Sequence, residues 1–204
     1  MNSDYFNTMA KTWDENPMRQ QLSQSIFDFI QKTVLLHQNI TVLDYGCGTG
    51  LLSFLLSDTV KSVHAVDTSS GMLEQVKSKI VQTKIKNIST DVFDAENDSF
   101  PDVQYNLIVS AMTLHHLNDA PETITKLVSL VSPGGWITLA DLCKEDGSFH
   151  PDVKVKYFGF EPSELAEIFK SAGLKHITMN TVFEIPKNQK TYPVFCISGQ
   201  KPIT

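Results

Sequence analysis

Hydrophobic residues follow two different periods along the chain, and these periods predict an alternating order of helices and strands. Short apolar runs rich in β-branched residues, such as Ile40 to Leu43, predict buried strands, and apolar residues three and four positions apart predict helices. Strands that alternate with helices in this way indicate a parallel sheet. In chain order, the predicted strands lie near 40–44, 62–67, 88–93, 105–111, 136–141, 176–185 and 194–199, and the predicted helices lie near 17–34, 50–57, 70–82, 121–131 and 163–172.

Residues at the ends of these segments support the predicted boundaries. Asn16 is a typical helix N-cap, and Pro17 fits the first helical turn, where its missing N–H is not needed. The apolar residues on one face of this helix are Met18, Leu22, Ile26, Phe29, Ile30 and Val34. The turn-forming segment 186–190 joins the last two strands as a hairpin, so the final strand should be antiparallel to the others.

A glycine-rich turn connects the first predicted strand to the following helix. Its sequence from Val42 to Gly50 is Val-Leu-Asp-Tyr-Gly-Cys-Gly-Thr-Gly, and its glycines allow a sharp turn and close approach of a ligand. This arrangement predicts a site for a nucleoside cofactor. The dinucleotide fingerprint Gly-x-Gly-x-x-Gly fits poorly, because position 51 is leucine. Asp44, beside the turn, would oppose a pyrophosphate and favour a cationic cofactor.

A second acidic residue follows the second predicted strand. Asp67 lies seventeen residues after Gly50, at the end of the apolar run that begins at Val63. A carboxylate at this position can accept hydrogen bonds from both hydroxyls of a ribose. Together with the glycine-rich turn, Asp67 predicts an adenosine-type ligand.

These two motifs resemble those of class I S-adenosylmethionine-dependent methyltransferases, and within them the small-molecule group often called type 11. The segment 42–50 resembles the first motif of the family, whose turn lies against the methionine part of the cofactor. The resemblance implies that Asp44 helps to fix this loop. The residues that it places at the turn are Gly46, Cys47, Gly48, Thr49 and Gly50.

The segment 66–73 resembles the second motif of the same family, in which Asp67 would bind the ribose hydroxyls. The run 94–96 resembles the segment whose aspartate contacts the adenine amino group. Asp91 offers an alternative register for that contact. The residues that the resemblance places around the adenosine are Thr68, Met72, Asp94 and Ala95.

Two later segments match the family in order and spacing. The segment 107–117 resembles the fourth strand and the loop over the methyl group, with Ser110 among the predicted cofactor-binding residues, and 133–139 resembles the turn and fifth strand. Asn106 stands where the family more often has Asp, at a position that we expect to be structural. The resemblance implies a Rossmann-like α/β fold, with a seven-stranded, mostly parallel sheet in the order 3-2-1-4-5-7-6, an antiparallel last strand and flanking helices. It also implies S-adenosyl-L-methionine as methyl donor and S-adenosyl-L-homocysteine as product.

Composition narrows the class of protein and of acceptor. The chain has 204 residues, 41% of them hydrophobic, which suits one methyltransferase domain over 1–204, with 1–37 as an N-terminal flap and helix. The formal charge of −6, without a Lys/Arg-rich run, disfavours nucleic acid as a partner. The segment 110–113 also lacks the Asn/Asp-Pro-Pro-aromatic run of enzymes that methylate nucleic-acid amino groups. We therefore expect a small-molecule acceptor.

The cysteines and the apolar runs bear on the location of the protein. The three cysteines are widely separated, with no Cys-x-x-Cys pair, so neither a disulfide framework nor a structural zinc site is expected. No apolar run approaches the roughly 18 residues that a membrane span needs. These features predict a soluble, cytoplasmic protein without a membrane partner, and they say nothing of its oligomeric state.

Methyl transfer from a sulfonium is an in-line displacement, which positioning and desolvation can catalyse without a strong electrophile. His115 and His116 follow the fourth predicted strand and are the candidate general bases, although they can equally line the pocket or bond to the backbone. No metal site is expected, because the adjacent pair lacks the i, i+4 spacing of helical metal sites. Asp141 and His150 could join them only if the intervening loops fold suitably.

Two groups of aromatic residues have alternative interpretations. Tyr5, Phe6 and Trp13 either form a flap that excludes water from the cofactor or pack against the first long helix. The aromatic residues of 149–160 either build an acceptor pocket or form a satellite core cluster.

Two other functions remain open at this point. A nicotinamide-dependent oxidoreductase would use the same crevice, against the glycine spacing. A non-catalytic cofactor-binding module would keep the fold without the activity, because fold alone does not establish function.

Overall fold

The computed structural model describes residues 3–99, 102–151, 155–187 and 189–203. Its helices are α1 (Ser3–Met9), a 3₁₀ turn (Ala10–Glu15), α2 (Pro17–Thr33), α3 (Leu51–Ser57), α4 (Ser70–Thr83), a short 3₁₀ turn (Leu114–His116), α5 (Ala120–Ser129) and α6 (Pro162–Ser171). Its strands are β1 (Thr41–Tyr45), β2 (Ser62–Asp67), β3 (Ile88–Val92), β4 (Tyr105–Ala111), β5 (Val131–Leu142), β6 (Lys175–Lys187) and β7 (Lys190–Gln200).

The seven strands form one sheet in the order β3-β2-β1-β4-β5-β7-β6. The pairs from β3 to β5 are parallel, and β7 pairs antiparallel with both β5 and β6. The order of the strands reverses between β1 and β4, so the carboxyl ends of these two strands border a crevice where ligands bind in such sheets. The predicted fold class and strand order are confirmed.

Both faces of the sheet are covered by helices, which explains the continuous apolar runs of its central strands. Consecutive residues of a strand belong to opposite layers: Val42 joins the core on the α2 side, and Leu43 joins the core on the α5 side. The predicted N-cap of α2 is confirmed, because Asn16 Oδ1 accepts a hydrogen bond from Met18 N at 3.0 Å. The buried apolar residues of this helix are Leu22, Ile26, Phe27, Phe29 and Ile30.

Asn106 has the structural role that we expected from its position in β4. Its side-chain oxygen accepts hydrogen bonds from the backbone N–H and the hydroxyl of Thr41, at 2.9 and 3.0 Å. This contact links β4 to the start of β1, the strand that leads into the glycine-rich turn.

The last three strands, β5, β6 and β7, are longer than predicted. β5 begins at Val131 and includes the Pro133-Gly134-Gly135 segment that we interpreted as a turn, because its pairing with β4 continues through a register shift between Tyr105 and Leu107. The predicted turn 186–190 was also too wide, since Pro186 pairs with Thr191 and Lys187 with Lys190. Asn188, within that turn, lies outside the described residues.

Candidate functional site

The glycine-rich turn is fixed by its neighbours at the carboxyl end of β1. Gly46 and Gly48 have φ values of 71° and 55°, in the left-handed region that favours glycine. A Cβ atom at Gly46 would lie 2.2 Å from Thr113 Oγ1, so a side chain at this position would collide with the loop after β4. Because Gly46 has no side chain, the loop after β4 packs directly on the glycine-rich turn. This contact places the residues that follow Thr113 beside the turn.

Asp44 is a buried carboxyl group at the base of the turn. It is 1% exposed, and Ser53 Oγ donates a hydrogen bond to its Oδ2 at 2.5 Å. Burial raises the pKa of Asp44 to about 7, and the nearby Asp67 adds to the rise, whereas the hydrogen bond from Ser53 opposes it. A cation next to Asp44 would favour its ionised form.

Asp67 lies at the end of β2 and contacts the same turn. Its carboxylate accepts hydrogen bonds from Gly48 N and Ser69 N, both at 2.8 Å. Burial raises its pKa, and these backbone hydrogen bonds oppose the rise. The backbone N–H of Thr68 is a third such partner, and since a carboxylate has about four acceptor positions, an acceptor position remains for a ligand hydroxyl.

One continuous cavity of about 460 Å³ extends from Asp67 and the glycine-rich turn to the histidines after β4. The predicted site residues that line it are Asp44, Gly46, Cys47, Gly48, Thr49, Asp67, Met72, His115 and His116. The N-terminal aromatic residues Tyr5, Phe6 and Trp13 line the same cavity, so they border the site rather than only packing on α2.

Five predicted cofactor-binding residues lie outside this lining: Gly50, Thr68, Asp94, Ala95 and Ser110. Gly50 is the N-cap of α3, and Ala95 and Ser110 are each 1% exposed. Asp94 follows the end of β3, and its carboxylate accepts hydrogen bonds from Glu96 N and Asn97 Nδ2, at 2.9 and 2.8 Å. The rival residue, Asp91, lies within β3 and pairs with His64 at 2.8 Å.

The N-terminal segment is attached to the cofactor end of the cavity by side chains that the sequence did not single out. Asn7 Oδ1 accepts hydrogen bonds from Ser69 Oγ and Gly71 N, at 2.7 and 2.9 Å. Asp14 accepts a hydrogen bond from Thr49 Oγ1 at 2.5 Å and forms an ion pair with Lys79. Both are ordinary polar residues in the sequence, and only the fold places Asn7 at the start of α4 and Asp14 beside the glycine-rich turn.

A group of three histidines forms the other end of the cavity. His115 is 1% exposed, its Nδ1 lies 2.5 Å from Asp141 Oδ1, and its Nε2 lies 3.1 Å from His150 Nε2. The ring centroid of His116 is 4.0 Å from that of His115 and 5.1 Å from that of Phe6. Burial and the neighbouring histidines lower the pKa of His116 to about 2 and that of His150 to about 4, so both are neutral at pH 7.

Asp141 and His150 are the partners that the sequence could not assign. Asp141 is the penultimate residue of β5, which pairs with β4, and His150 lies 35 positions from His115 in the chain. The thiols give no comparable signal: burial raises the pKa values of Cys47 and Cys143, which keeps both groups protonated.

Among the helices of the described residues, none combines the length and apolar character needed to cross a bilayer.

The chain matches a protein-family model and several curated proteins. The sequence model of the family described as "Methyltransferase domain" matches residues 18–179. An uncharacterized methyltransferase of Schizosaccharomyces pombe is 30% identical over 153 residues, which are 67% of this chain and 54% of that protein. A malonyl-[acyl-carrier protein] O-methyltransferase of Priestia megaterium is 34% identical over 137 residues, covering 64% of this chain and 47% of that protein. The chain thus matches about half the length of these curated relatives.

A solved structure shows the same fold over nearly the whole chain. DhpI, in its complex with S-adenosylhomocysteine, superposes with a TM-score of 0.75, at 19% identity, over 98% of this chain and 95% of DhpI. The strand order, the glycine-rich turn with Asp67 and the family match agree with one another. The chain therefore belongs to the methyltransferase domain family, within the class I S-adenosylmethionine-dependent methyltransferases that its motifs resemble.

Proposed function

We propose that this protein transfers a methyl group from S-adenosyl-L-methionine to a small-molecule acceptor, and that positioning and desolvation provide most of the catalysis. The observation that carries the proposal is the continuous cavity that joins the glycine-rich turn and Asp67 to the histidines after β4. Donor and acceptor can lie side by side in it, and correct placement of two reactants can contribute roughly 7 to 11 kcal/mol to a reaction.

The charges at the turn suit the proposed donor. Asp44 and Asp67 are both buried beside the turn, and Lys79 in that region is already paired with Asp14. S-adenosylmethionine carries a sulfonium and an ammonium group, so two buried carboxyl groups favour it over a pyrophosphate-containing dinucleotide. Asp67 would accept the ribose hydroxyls, and Met72, which also lines the cavity, would border the adenosine.

The other half of the cavity suits a compact acceptor. A volume of about 460 Å³ is within the range of small-molecule sites, and the donor would occupy a large share of it. Phe6 and Trp13 border the cavity and are in edge-to-face contact, with ring centroids 5.8 Å apart. Aromatic rings in this position would exclude water from the transfer step, as proposed for an N-terminal flap. A long polymer would have to displace them.

His115 and His116 remain the proposed residues at the transfer end, since both line the cavity beside the β4 loop. The acceptor's lone pair would attack the methyl carbon as the carbon–sulfur bond breaks, with the electron pair remaining on sulfur, and the acceptor's proton would pass to a base or to water. A positioned base typically adds about 10² to 10⁴ in rate, so it assists transfer without being indispensable.

Calorimetry with S-adenosylhomocysteine and NAD tests the donor site directly. We expect binding of the homocysteine compound but not of NAD, and at least tenfold weaker binding in the Asp67→Ala variant, which loses the ribose acceptor. Asp58→Ala, at an exposed carboxyl after α3, is the matched control and should bind as the wild type does. Tight binding of NAD, or unchanged affinity in Asp67→Ala, would contradict the proposal.

Transfer is tested by incubating the protein with methyl-labelled S-adenosylmethionine and a small-molecule extract, followed by chromatography of the labelled products. A labelled compound of low molecular mass supports the proposal. Cofactor binding without a labelled product over a broad range of compounds would instead indicate a non-catalytic module, and label in protein or nucleic acid would contradict a small-molecule acceptor.

A further inference from the structure

The three histidines at the acceptor end of the cavity form a set of ligands for a metal ion. We propose that His115, His116 and His150 bind a divalent transition-metal ion of the zinc type, with Asp141 positioning His115. One ring nitrogen from each histidine lies within 4.8 Å of those of the other two. Adjacent histidines in the sequence predicted no such site, because the third ligand comes from a distant loop.

The distances suit such an ion. Zinc binds histidine nitrogens at about 2.0 to 2.1 Å, which in a tetrahedral site places two ligand nitrogens about 3.4 Å apart. His115 Nε2 and His150 Nε2 are already 3.1 Å apart, and the greatest separation within the set is no more than 4.8 Å. A shift of about 1.4 Å, which a side-chain rotation can supply, would bring all three nitrogens to the distances that zinc requires.

Asp141 supplies the second part of the argument. It is fully buried, and its carboxylate also accepts hydrogen bonds from His115 N at 3.3 Å and Leu142 N at 2.7 Å, so its position is fixed by the backbone. A hydrogen bond from His115 Nδ1 to this carboxylate selects the tautomer in which Nε2 carries a lone pair directed away from Asp141. A carboxylate that orients a histidine in this way is the usual outer partner of a zinc ligand.

The same geometry argues against His115 as a direct general base. A base must present its free nitrogen to the proton that it removes, within about 2.6 to 3.2 Å. In this structure the Nε2 of His115 faces His150 Nε2 at 3.1 Å, so another imidazole occupies the place of a substrate. A nitrogen that faces a second imidazole, with a third imidazole nitrogen within 4.8 Å, is better placed to share a metal ion with them.

The position of the set within the cavity indicates what the ion would do. Three histidines leave the fourth position of a tetrahedral ion open, and all three line the cavity that also reaches Gly46 and Asp67. If the proposed methyl transfer is correct, the open position would hold an acceptor oxygen, nitrogen or sulfur and promote loss of its proton to water. Lys187, which lines the same end, would favour an acceptor that also carries a negative charge.

Metal binding is tested on the full chain without any methyl acceptor. After treatment with a chelator, the protein is titrated with ZnSO₄ by calorimetry and with Co²⁺ by absorption spectroscopy, and we expect one ion per chain with the visible bands of tetrahedral Co²⁺. His150→Ala and His116→Ala should each weaken zinc binding at least tenfold. Asp141→Asn should weaken it about 10- to 100-fold while leaving a tetrahedral Co²⁺ spectrum.

A matched control is available in His64, which also pairs with an aspartate but lies away from the cavity, with Nε2 2.8 Å from Asp91. His64→Ala should keep full zinc affinity. Circular dichroism verifies that each variant is folded. Equal zinc affinity in the wild type and in a folded His150→Ala variant would overturn the proposal. Equal losses of zinc affinity in His64→Ala and His150→Ala would also overturn it. Binding of S-adenosylhomocysteine to the chelator-treated protein is measured in parallel, so that failure of the metal site is distinguished from failure of the proposed methyltransferase function.

Discussion

Replacing Asp44 by asparagine should stabilise the folded protein more at pH 8 than at pH 5. In the folded state burial raises the pKa of Asp44 to about 7, whereas an unfolded chain exposes this carboxyl, whose ordinary value is 3.8. Between these two values the folded protein holds a proton that the unfolded chain has released. A raised carboxyl pKa therefore lowers the free energy of unfolding as the pH increases through this window.

The expected magnitude follows from the same two values. Between pH 5 and pH 7 the folded state holds about one more proton than the unfolded chain at this position, which corresponds to about 1.4 kcal/mol per pH unit, or about 3 kcal/mol in total. Asparagine does not titrate, and its side-chain oxygen can still accept the hydrogen bond from Ser53. The variant should therefore gain about 3 kcal/mol relative to the wild type between pH 5 and pH 8.

Urea unfolding of both proteins at pH 5 and pH 8, followed by circular dichroism, measures this difference. Groups that titrate identically in the two proteins cancel in the comparison. Asp58→Asn, at an exposed position after α3, controls for the loss of a carboxyl at the surface and should change the stability difference by less than about 0.5 kcal/mol. An Asp44→Asn difference that is the same at both pH values would refute the reasoning, because it would mean that Asp44 is ionised in the folded protein at pH 5.

Two further changes test the packing of the turn and of the N-terminal segment. In urea titrations, Gly46→Ala should lower the free energy of unfolding by about 1 to 3 kcal/mol more than Gly173→Ala does. Both glycines have positive φ, but of the two only Gly46 is placed so that an added Cβ atom would collide with Thr113. Equal losses of stability in the two variants would contradict the predicted collision. Asn7→Ala removes the hydrogen-bond acceptor for Ser69 Oγ and Gly71 N. In stopped-flow measurements this variant should release S-adenosylhomocysteine at least severalfold faster than the wild type. Asn39→Ala, at an exposed turn, is the control and should leave the dissociation rate unchanged. An unchanged dissociation rate in Asn7→Ala would show that the N-terminal segment does not retain the ligand.

The helices and central strands were predictable because their signals are local. Asn16 and Pro17 mark the start of α2 through capping chemistry, and the apolar run of β2 ends at Asp67, as predicted. Buried parallel strands need no partner to be recognised, since both of their faces are apolar. The order of the strands, in contrast, came from the resemblance of the motifs to a known family, because the periodicity of a strand does not state which strand lies beside it.

The extents of β5, β6 and β7 depend on pairing between strands, which local signals do not report. Pro133 to Gly135 has the composition of a turn, yet β5 continues through it because β4 pairs with residues on both sides. Most of β6 is exposed, so its sequence lacks the alternation of a half-buried strand. Its length follows from the hydrogen bonds that it makes to β7.

The residues of the candidate site fall into the same two groups, those that the local sequence predicts and those that only tertiary contacts bring together. Asp44, Asp67 and the glycines form a contiguous sequence signal, because one strand end and one turn place them together. Four other residues gain their roles only from tertiary contacts: Asn7 with the start of α4, Asp14 with Thr49, and Asp141 and His150 with His115. No spacing rule connects His115 to a histidine 35 positions away.

Two energetically unfavourable features lie at this cavity, a buried carboxyl group and a methionine in a left-handed conformation. Their presence there supports the interpretation of the cavity as the functional site. Asp44 is buried without a cation partner among the described residues, and Met112, which lines the cavity, holds a left-handed conformation at φ 55°. Strain of this kind costs about 1 to 3 kcal/mol, and a buried carboxyl group costs more. Natural folds keep such unfavourable arrangements mainly where binding or catalysis requires them. A cationic donor beside Asp44 would offset part of that cost, so folding stability and donor binding should be linked through the same carboxyl group.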